Sequence, residues 1–270
     1  TGGVPKYIEL FSESSDIYRA IQKCVLNRSG YLYDEPHFLL QQEVSEVGSY
    51  FSIIKAIAAG NHKLSAIAAV LEVKSTNLTK YLKTLMDLDI LERKVPVTEK
   101  NPEKSKRGLY KIKDNYLRFW FAFIYPNMSF IESGHSGIVM DKIRRGLTTS
   151  HIGFVYEDIC QERMWELNVN NAWPFQFSKL GGYWDAKNEI DIAALDPEGK
   201  NLILGECKYW KEPVGLNVLH ALETKACDVT WERDRRKVWY VLFSISGFSD
   251  ELRNHAATRD DLLLIDDGER

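Results

Sequence analysis

The spacing of apolar residues changes character along the chain, and each change marks a new element. Over residues 1–42, Ile17, Ala20, Ile21, Cys24 and Val25 recur three and four apart, which predicts a short helical lead-in. From Glu46 the pattern sharpens. Val47, Tyr50, Phe51, Ile54 and Ile57 predict a first amphipathic helix, stopped by Gly60-Asn61. Leu64 to Leu71 predicts a short second helix opened near Ser65. Ser75 is the expected N-cap of a third, whose apolar face is Leu78, Tyr81, Leu82, Leu85 and Met86. Ile90-Leu91, a polar stretch from Glu92 to Gly108, and Leu109 to Ile112 then predict two strands joined by a long tip.

That order of parts reads as a winged helix-turn-helix. The run Tyr116 to Pro126 is a helix too apolar to be exposed, ended by the proline. It reads as a connector packing two domains together, with aromatic stacking on single-stranded nucleic acid as the alternative. From about Gly153 the pattern becomes mixed. A helix around Phe154, Val155, Ile159, Met164 and Trp165 precedes strand signals at 175–184, 189–195 and 201–209. A helix over 216–229, a strand over 238–243, and a last helix and strand ending at Ile265 complete an α/β domain on a mixed sheet. The expected organisation is a lead-in (1–45), the winged helix-turn-helix (46–115), a helical connector (116–150) and the mixed-sheet domain (151–270).

Composition narrows this picture only at a few points. A length of 270 residues suits about two domains. A formal charge of -3 supplies no global field for nucleic acid, so any such contact needs a local basic patch. Cys24, Cys160, Cys207 and Cys227 have no CxxC pair and no histidine at zinc-finger spacing, so a zinc site and a disulfide framework are not expected. Neither do the six histidines show ligand spacing. A reducing cytoplasm is the expected location. The apolar run at 116–126 is about half of the roughly 20 residues a spanning helix needs and contains Arg118, so no membrane contact is expected. Thr1 in place of Met, and the turn-like Gly2-Gly3-Val4-Pro5, lead us to expect a fragment of a longer chain.

The chemistry lies on two neighbouring strands. Alternation in Glu189-Ile190-Asp191-Ile192 is expected to put both isoleucines on one face and both acids on the other. Glu206 and Lys208, two apart, share a face. Paired in the obvious register, Asp191, Glu206 and Lys208 converge. Two close carboxylates repel unless a cation separates them, and Mg²⁺ (or Mn²⁺) takes carboxylate ligands while keeping several waters. A neighbouring lysine can orient or deprotonate an attacking water, or stabilise charge on a phosphate. The competing reading is a solvated hairpin with alternating charges.

Asp191 followed by Glu206-Cys207-Lys208 resembles the PD-(D/E)xK nuclease superfamily, whose pattern is an acid on one strand and (D/E)-x-K on the next. The resemblance implies a restriction-endonuclease-like fold, and Glu157 as a further metal ligand on the preceding helix. No proline precedes Asp191, a departure the superfamily tolerates. The whole chain is also similar to the C-terminal part of archaeal and bacterial ATPases that join an AAA+/STAND-type P-loop domain to a winged helix and a nuclease-like domain. Gly2 to Tyr7, Leu117 to Phe121 with Tyr125-Pro126-Asn127, and Gly205 to Trp210 carry that likeness. It implies an upstream ATPase domain in the parent chain, where ATP would bind, since GxxxxGK[ST] is absent here.

DNA is the expected partner. Thr79, Lys80, Lys83 and Thr84 face away from the third helix's apolar stripe and suit a major groove, or form a solvated face. Lys100, Lys104, Lys106 and Arg107 against Glu103 make the hairpin tip basic, which suits phosphates or a soluble loop. Arg233 to Lys237 is read as a solvated end of an element with a possible backbone contact, and Lys225 as a candidate helper at the acid pair. Two functional readings compete: a Mg²⁺-dependent DNA nuclease module, with Asp191, Glu206 and Lys208 catalytic and Glu157, Asp191 and Glu206 holding metal, or a regulatory module that no longer cuts. Self-association into a homo-oligomer stays open.

Overall fold

The computed structural model describes residues 2–268. They form two compact units, one reaching to Lys94 and resuming over Gly108–His151, the other made of Val95–Arg107 and the chain from Ile152 onward.

The first unit is mainly helical. It contains α1 (Pro5–Ser12), α2 (Ile17–Cys24), α3 (Glu35–Glu43), α4 (Val47–Ala58), α5 (Leu64–Val70), α6 (Ser75–Asp87), β1 (Leu91–Lys94), β2 (Leu109–Ile112), α7 (Asn115–Phe119), α8 (Met128–Glu132) and α9 (Ser136–Leu147). Asp16 caps α2, its Oδ1 accepting the Tyr18 and Arg19 N–H groups at 2.9 and 3.1 Å. Gly60, at φ +92°, lies in the left-handed region just past α4, where a Cβ would be strained. Ser75 does not cap α6: it is the first helical residue, and Lys74 at the N-cap offers no side-chain bond. Leu78, Leu82 and Leu85 are buried, as the stripe requires, whereas Tyr81 and Met86 stay half-exposed. β1 and β2 pair antiparallel from Leu91↔Ile112 to Lys94↔Leu109.

The aromatic run is core of this unit. Past α7 the chain continues through a wide π-helical turn over Trp120–Ile124 and a tight turn over Tyr125–Asn127. Trp120 is fully buried and its Nε1 donates to the Tyr33 carbonyl at 2.9 Å. Phe51 of α4 meets Phe121, Tyr125 and Trp120 at centroid distances of 4.8, 5.1 and 5.9 Å. Rings enclosed in this way have no free face for a nucleobase, so the stacking alternative fails on burial.

The second unit is a five-stranded sheet between helices. Its elements are α10 (Gly153–Val169), β3 (Lys179–Trp184), β4 (Glu189–Leu195), β5 (Asn201–Lys208), α11 (Leu216–Asp228), β6 (Lys237–Ser244), α12 (Asp250–Ala256) and β7 (Leu262–Asp266). The strands lie in the order β3-β4-β5-β6-β7, antiparallel through β5 and parallel from β5 to β7. The parallel steps each need a crossover, which α11 and α12 provide. Two apolar layers cover the sheet. Tyr156, Cys160 and Met164 of α10 pack with Ile192, Ile203 and Phe243, while Leu219 and Leu222 of α11 pack with Ile190, Leu204 and Leu242.

Two details depart from the sequence reading. Residues 175–178 are not strand: the Asn168 side chain engages the backbone of Phe177, donating to its carbonyl (3.1 Å) and accepting its N–H (3.0 Å). More consequentially, Ile190 and Ile192 lie in opposite layers. The β3–β4 register runs Gly181↔Ala193 and then Tyr183↔Ile190, so Gly182 alone faces Asp191 and Ile192. A β-bulge of this kind adds one residue to one strand and re-aims the side chains around it.

The polar tip of the β1–β2 hairpin belongs to this second unit. Val97 donates to the Gly182 carbonyl at 3.0 Å, and Trp184 Nε1 to the Arg107 carbonyl at 3.1 Å. The loop thereby covers the open edge of β3, whose backbone groups would otherwise lie unpaired. Among the described residues, no helix is long and apolar enough to cross a membrane.

Candidate active site

Asp191, Glu206 and Lys208 converge at the β4–β5 junction, joined by Lys225 from α11. The register Ile192↔Gly205 is the last full pair, and Asp191 and Glu206 come next across the two strands. Close approach of the sheet there depends on Gly205. A Cβ at that position would fall 2.5 Å from Val241 Cγ1 and 2.9 Å from the Val241 carbonyl oxygen, so no larger residue fits without moving β6. Asp191 is fixed by the bulge and by its Oδ2, which accepts the Cys207 N–H at 2.9 Å. Glu206 is only 5% exposed. Its Oε2 is paired with Lys208 and its Oε1 with Lys225 at 2.6 Å. Lys208 Nζ also stands 3.6 Å from Asp191 Oδ2, and 5.8 Å from the ring centroid of the half-exposed Trp210. Lys225 reaches back to the Glu189 carbonyl at 2.8 Å.

The formal charges of the four groups cancel, yet the balance at Asp191 is unfavourable. Burial, followed by the Glu206 carboxylate, raises its pKa to about 6 despite two nearby ammoniums. At Lys208 burial works against the charged form, but Asp191 and Glu206 outweigh it and the pKa is raised. Asp191 is therefore short of positive charge, the deficit a divalent cation would make good. Hard carboxylate oxygens are the donors Mg²⁺ prefers, and it needs only one or two of them alongside water and phosphate. Asp191 and Glu206 fit that description.

Glu157 is placed differently. It lies on α10, the helix that packs on the opposite layer from α11, and its charge bears on the buried Cys207 thiol. Among the described residues, no three His, Cys, Asp or Glu side chains are grouped so as to hold a metal. Gln161, one turn beyond Glu157, donates to the Asp191 carbonyl at 3.4 Å, a backbone contact with no sequence signature. Lys225 does carry a signal, since a lysine near the end of an otherwise apolar helix face can reach over the edge of the sheet.

The expected DNA contacts lie elsewhere. Thr79, Lys80 and Lys83 are exposed along α6. Lys104 and Lys106 are exposed on the hairpin loop, but Arg107 is committed to internal contacts. Its guanidinium binds Glu99, with Nε to Oε1 at 2.6 Å, and its Nη1 reaches the Trp184 carbonyl at 3.4 Å.

Mixed sheet, flanking helices and an acid–lysine cluster describe an α+β protein with a charged site on its central strands. Residues 120–226 match DUF234, a family of archaeal and bacterial proteins of unknown function. That span includes Asp191, Glu206, Lys208 and Lys225, and stops short of α4 to β2. An uncharacterized protein of Methanocaldococcus jannaschii is 38% identical over 210 residues, which is 78% of this chain and 46% of that protein. The chain therefore spans less than half the length of this curated relative. A crystal structure of a repair endonuclease from Pyrococcus abyssi superposes with a TM-score of 0.26 at 13% identity, over 38% of this chain and 44% of that one. A superposition so slight adds nothing to the architecture described above.

Proposed function

We propose that this chain is the DNA-processing part of a longer ATP-dependent cytoplasmic protein, and that its second unit is a metal-dependent phosphodiesterase. The observation that carries the reading is the meeting of Asp191 and Glu206 with Lys208 and Lys225 across adjacent strands, with Asp191 short of positive charge. Asp191 and Glu206 would hold Mg²⁺ or Mn²⁺, which when bound supplies Lewis-acid charge at a phosphate. Lys208 offers its ammonium to the negative charge that develops on the phosphate oxygens. The Cys207 N–H and Lys225 keep the two carboxylates oriented. Helices α4–α6 with the β1–β2 pair act as a winged helix that brings DNA to the protein. The length of the archaeal relative outside the aligned part leaves room for an ATPase module, the source of ATP dependence.

A second reading has its own support. Both Glu206 oxygens are already met by ammoniums, so the cluster closes as an ion network without metal, as a regulatory module would allow. Cleavage of duplex, single-stranded and branched DNA with Mg²⁺ or Mn²⁺, in parallel with calorimetric metal binding, separates the two. Asp191→Ala should abolish cutting, and Lys208→Ala should slow it by about 10²–10³-fold while metal still binds. Equal activity in parent and Asp191→Ala would place the chemistry elsewhere. Neither cutting nor metal binding would favour the regulatory reading.

A further inference from the structure

A second charged feature of the sheet unit lies outside the acid–lysine cluster. The hairpin loop and the turn between α11 and β6 line a cleft of about 610 Å³. Lys100 and Arg107 come from the loop, and Trp231, Arg233 and Arg235 from the turn, with Glu232 and Asp234 as the acids on the wall among the described residues. With Arg107 neutralised by Glu99, three cations face two anions, a local positive excess on a chain whose overall charge is -3.

The cleft is built rather than improvised. Arg107 is locked by Glu99 and Trp184, which hold the loop on β3. On the other wall Arg236 reaches under the turn to the carbonyls of Val229 at 2.7 Å and Ala226 at 3.2 Å, and also binds that of Trp231. Within this frame Lys100 and Arg233 are exposed, and among the described residues neither has an ion-pair or hydrogen-bond partner. Arg235 spends its charge on Glu232 at 2.8 Å, an exposed pair that solvent and salt weaken. Cations gathered in a polar concavity, with an aromatic wall and few local acids, suit phosphate groups on a strand that can lie along the cleft.

We infer that this cleft binds the phosphodiester backbone of a DNA strand, so that the hairpin loop acts through Lys100 as part of the sheet unit and not through its tip. The choice of DNA rests on the function proposed above, whereas the cleft's affinity for backbone phosphate does not require that the strand be cut. Equilibrium binding of a fluorescent DNA strand to the whole chain, in EDTA and across a salt series, tests it without any cleavage. Changing Lys100, Arg233 and Arg235 together to Ala should weaken binding on the order of tenfold or more and flatten the log-log salt slope by about 0.7–0.9 per lost contact. Lys104→Ala with Lys106→Ala, in the same loop but outside the cleft, should cost clearly less in both than the cleft variant. All five side chains are exposed, so matching unfolding midpoints are expected and confirm that folding is not the cause. The inference is overturned by a parent that binds no DNA, by a cleft variant that binds like the parent, or by a tip variant that suffers the larger loss. Displacement of the strand by micromolar inorganic triphosphate would reassign the cleft to a free nucleotide. Cleft-dependent binding with neither cleavage nor metal binding in Mg²⁺ would keep this inference and favour the regulatory reading.

Discussion

Trp120 and Glu206 are both buried, but their surroundings are built from opposite materials. Trp120 sits among Phe51, Phe121 and Tyr125, with its single polar atom satisfied by one carbonyl. Glu206 sits among Asp191, Lys208 and Lys225, where taking each charge from water costs free energy that pairing only partly returns. The aromatic cluster needs no explanation beyond stability, because burial of large apolar surface drives folding. A charged cluster around a buried carboxylate works against stability, and an apolar replacement of similar volume would serve a structural purpose at least as well. The contrast separates a core from a site.

The comparison can be tested by perturbing each side. The largest effect is expected at Trp120→Ala, which should destabilise the first unit by about 3–5 kcal/mol through lost transfer energy and a residual cavity. Denaturant unfolding measures it, and a loss below about 1 kcal/mol would mean that the cluster is not the core of that unit.

Next comes His151, buried against Phe119 at a centroid distance of 5.7 Å. Burial, with a smaller contribution from the Arg118 charge, lowers its pKa to about 4. A histidine depressed in the folded state contributes stability that is complete above its unfolded value near 6.5 and is lost as pH falls through about 4. The span corresponds to about 3 kcal/mol. His151→Phe keeps a ring at that position and should remove this acid sensitivity. Superimposable stability–pH curves for the two proteins would show that His151 is not the group responsible.

The smallest effect has the opposite sign and belongs to the charged cluster. Asp191→Asn keeps an oxygen for the Cys207 N–H but removes a buried charge and its repulsion with Glu206, so the variant should be more stable than the parent by about 1–2 kcal/mol at pH 8. Because the Asp191 pKa is raised to about 6, the parent's deficit develops as pH rises through that value and vanishes below about 4. The advantage of the variant should vanish over the same range. Metal should reverse the order, raising the unfolding midpoint of the parent and not that of the variant. A variant less stable than the parent at pH 8 without metal would show that the carboxylate is structural.

Much of this was legible along the chain, for a local reason. The boundaries of β4 and β5, the helices α4 to α6 and the placement of Glu206 beside Lys208 all follow from periodicities of 3.6 and 2 between neighbouring residues. Ser75 shows the limit of that method at an element end, where a cap competes with simply starting the helix one residue earlier.

What the amino-acid order determined by itself was the list of elements and the residue types that could do chemistry. Beyond the pairing of β4 with β5, tertiary structure decided which of them meet. The bulge opposite Gly182 sends Ile190 and Ile192 to different layers, against strict alternation, because one strand carries a residue its partner lacks. Lys225 reaches Glu206 across 19 positions and Gln161 reaches Asp191 across 30. The basic loop likewise reads as a free tip until the open edge of β3 claims its backbone. Pairings of this kind arise from sheet register, edge satisfaction and helix packing, which depend on residues far apart in the chain and leave no periodicity in it.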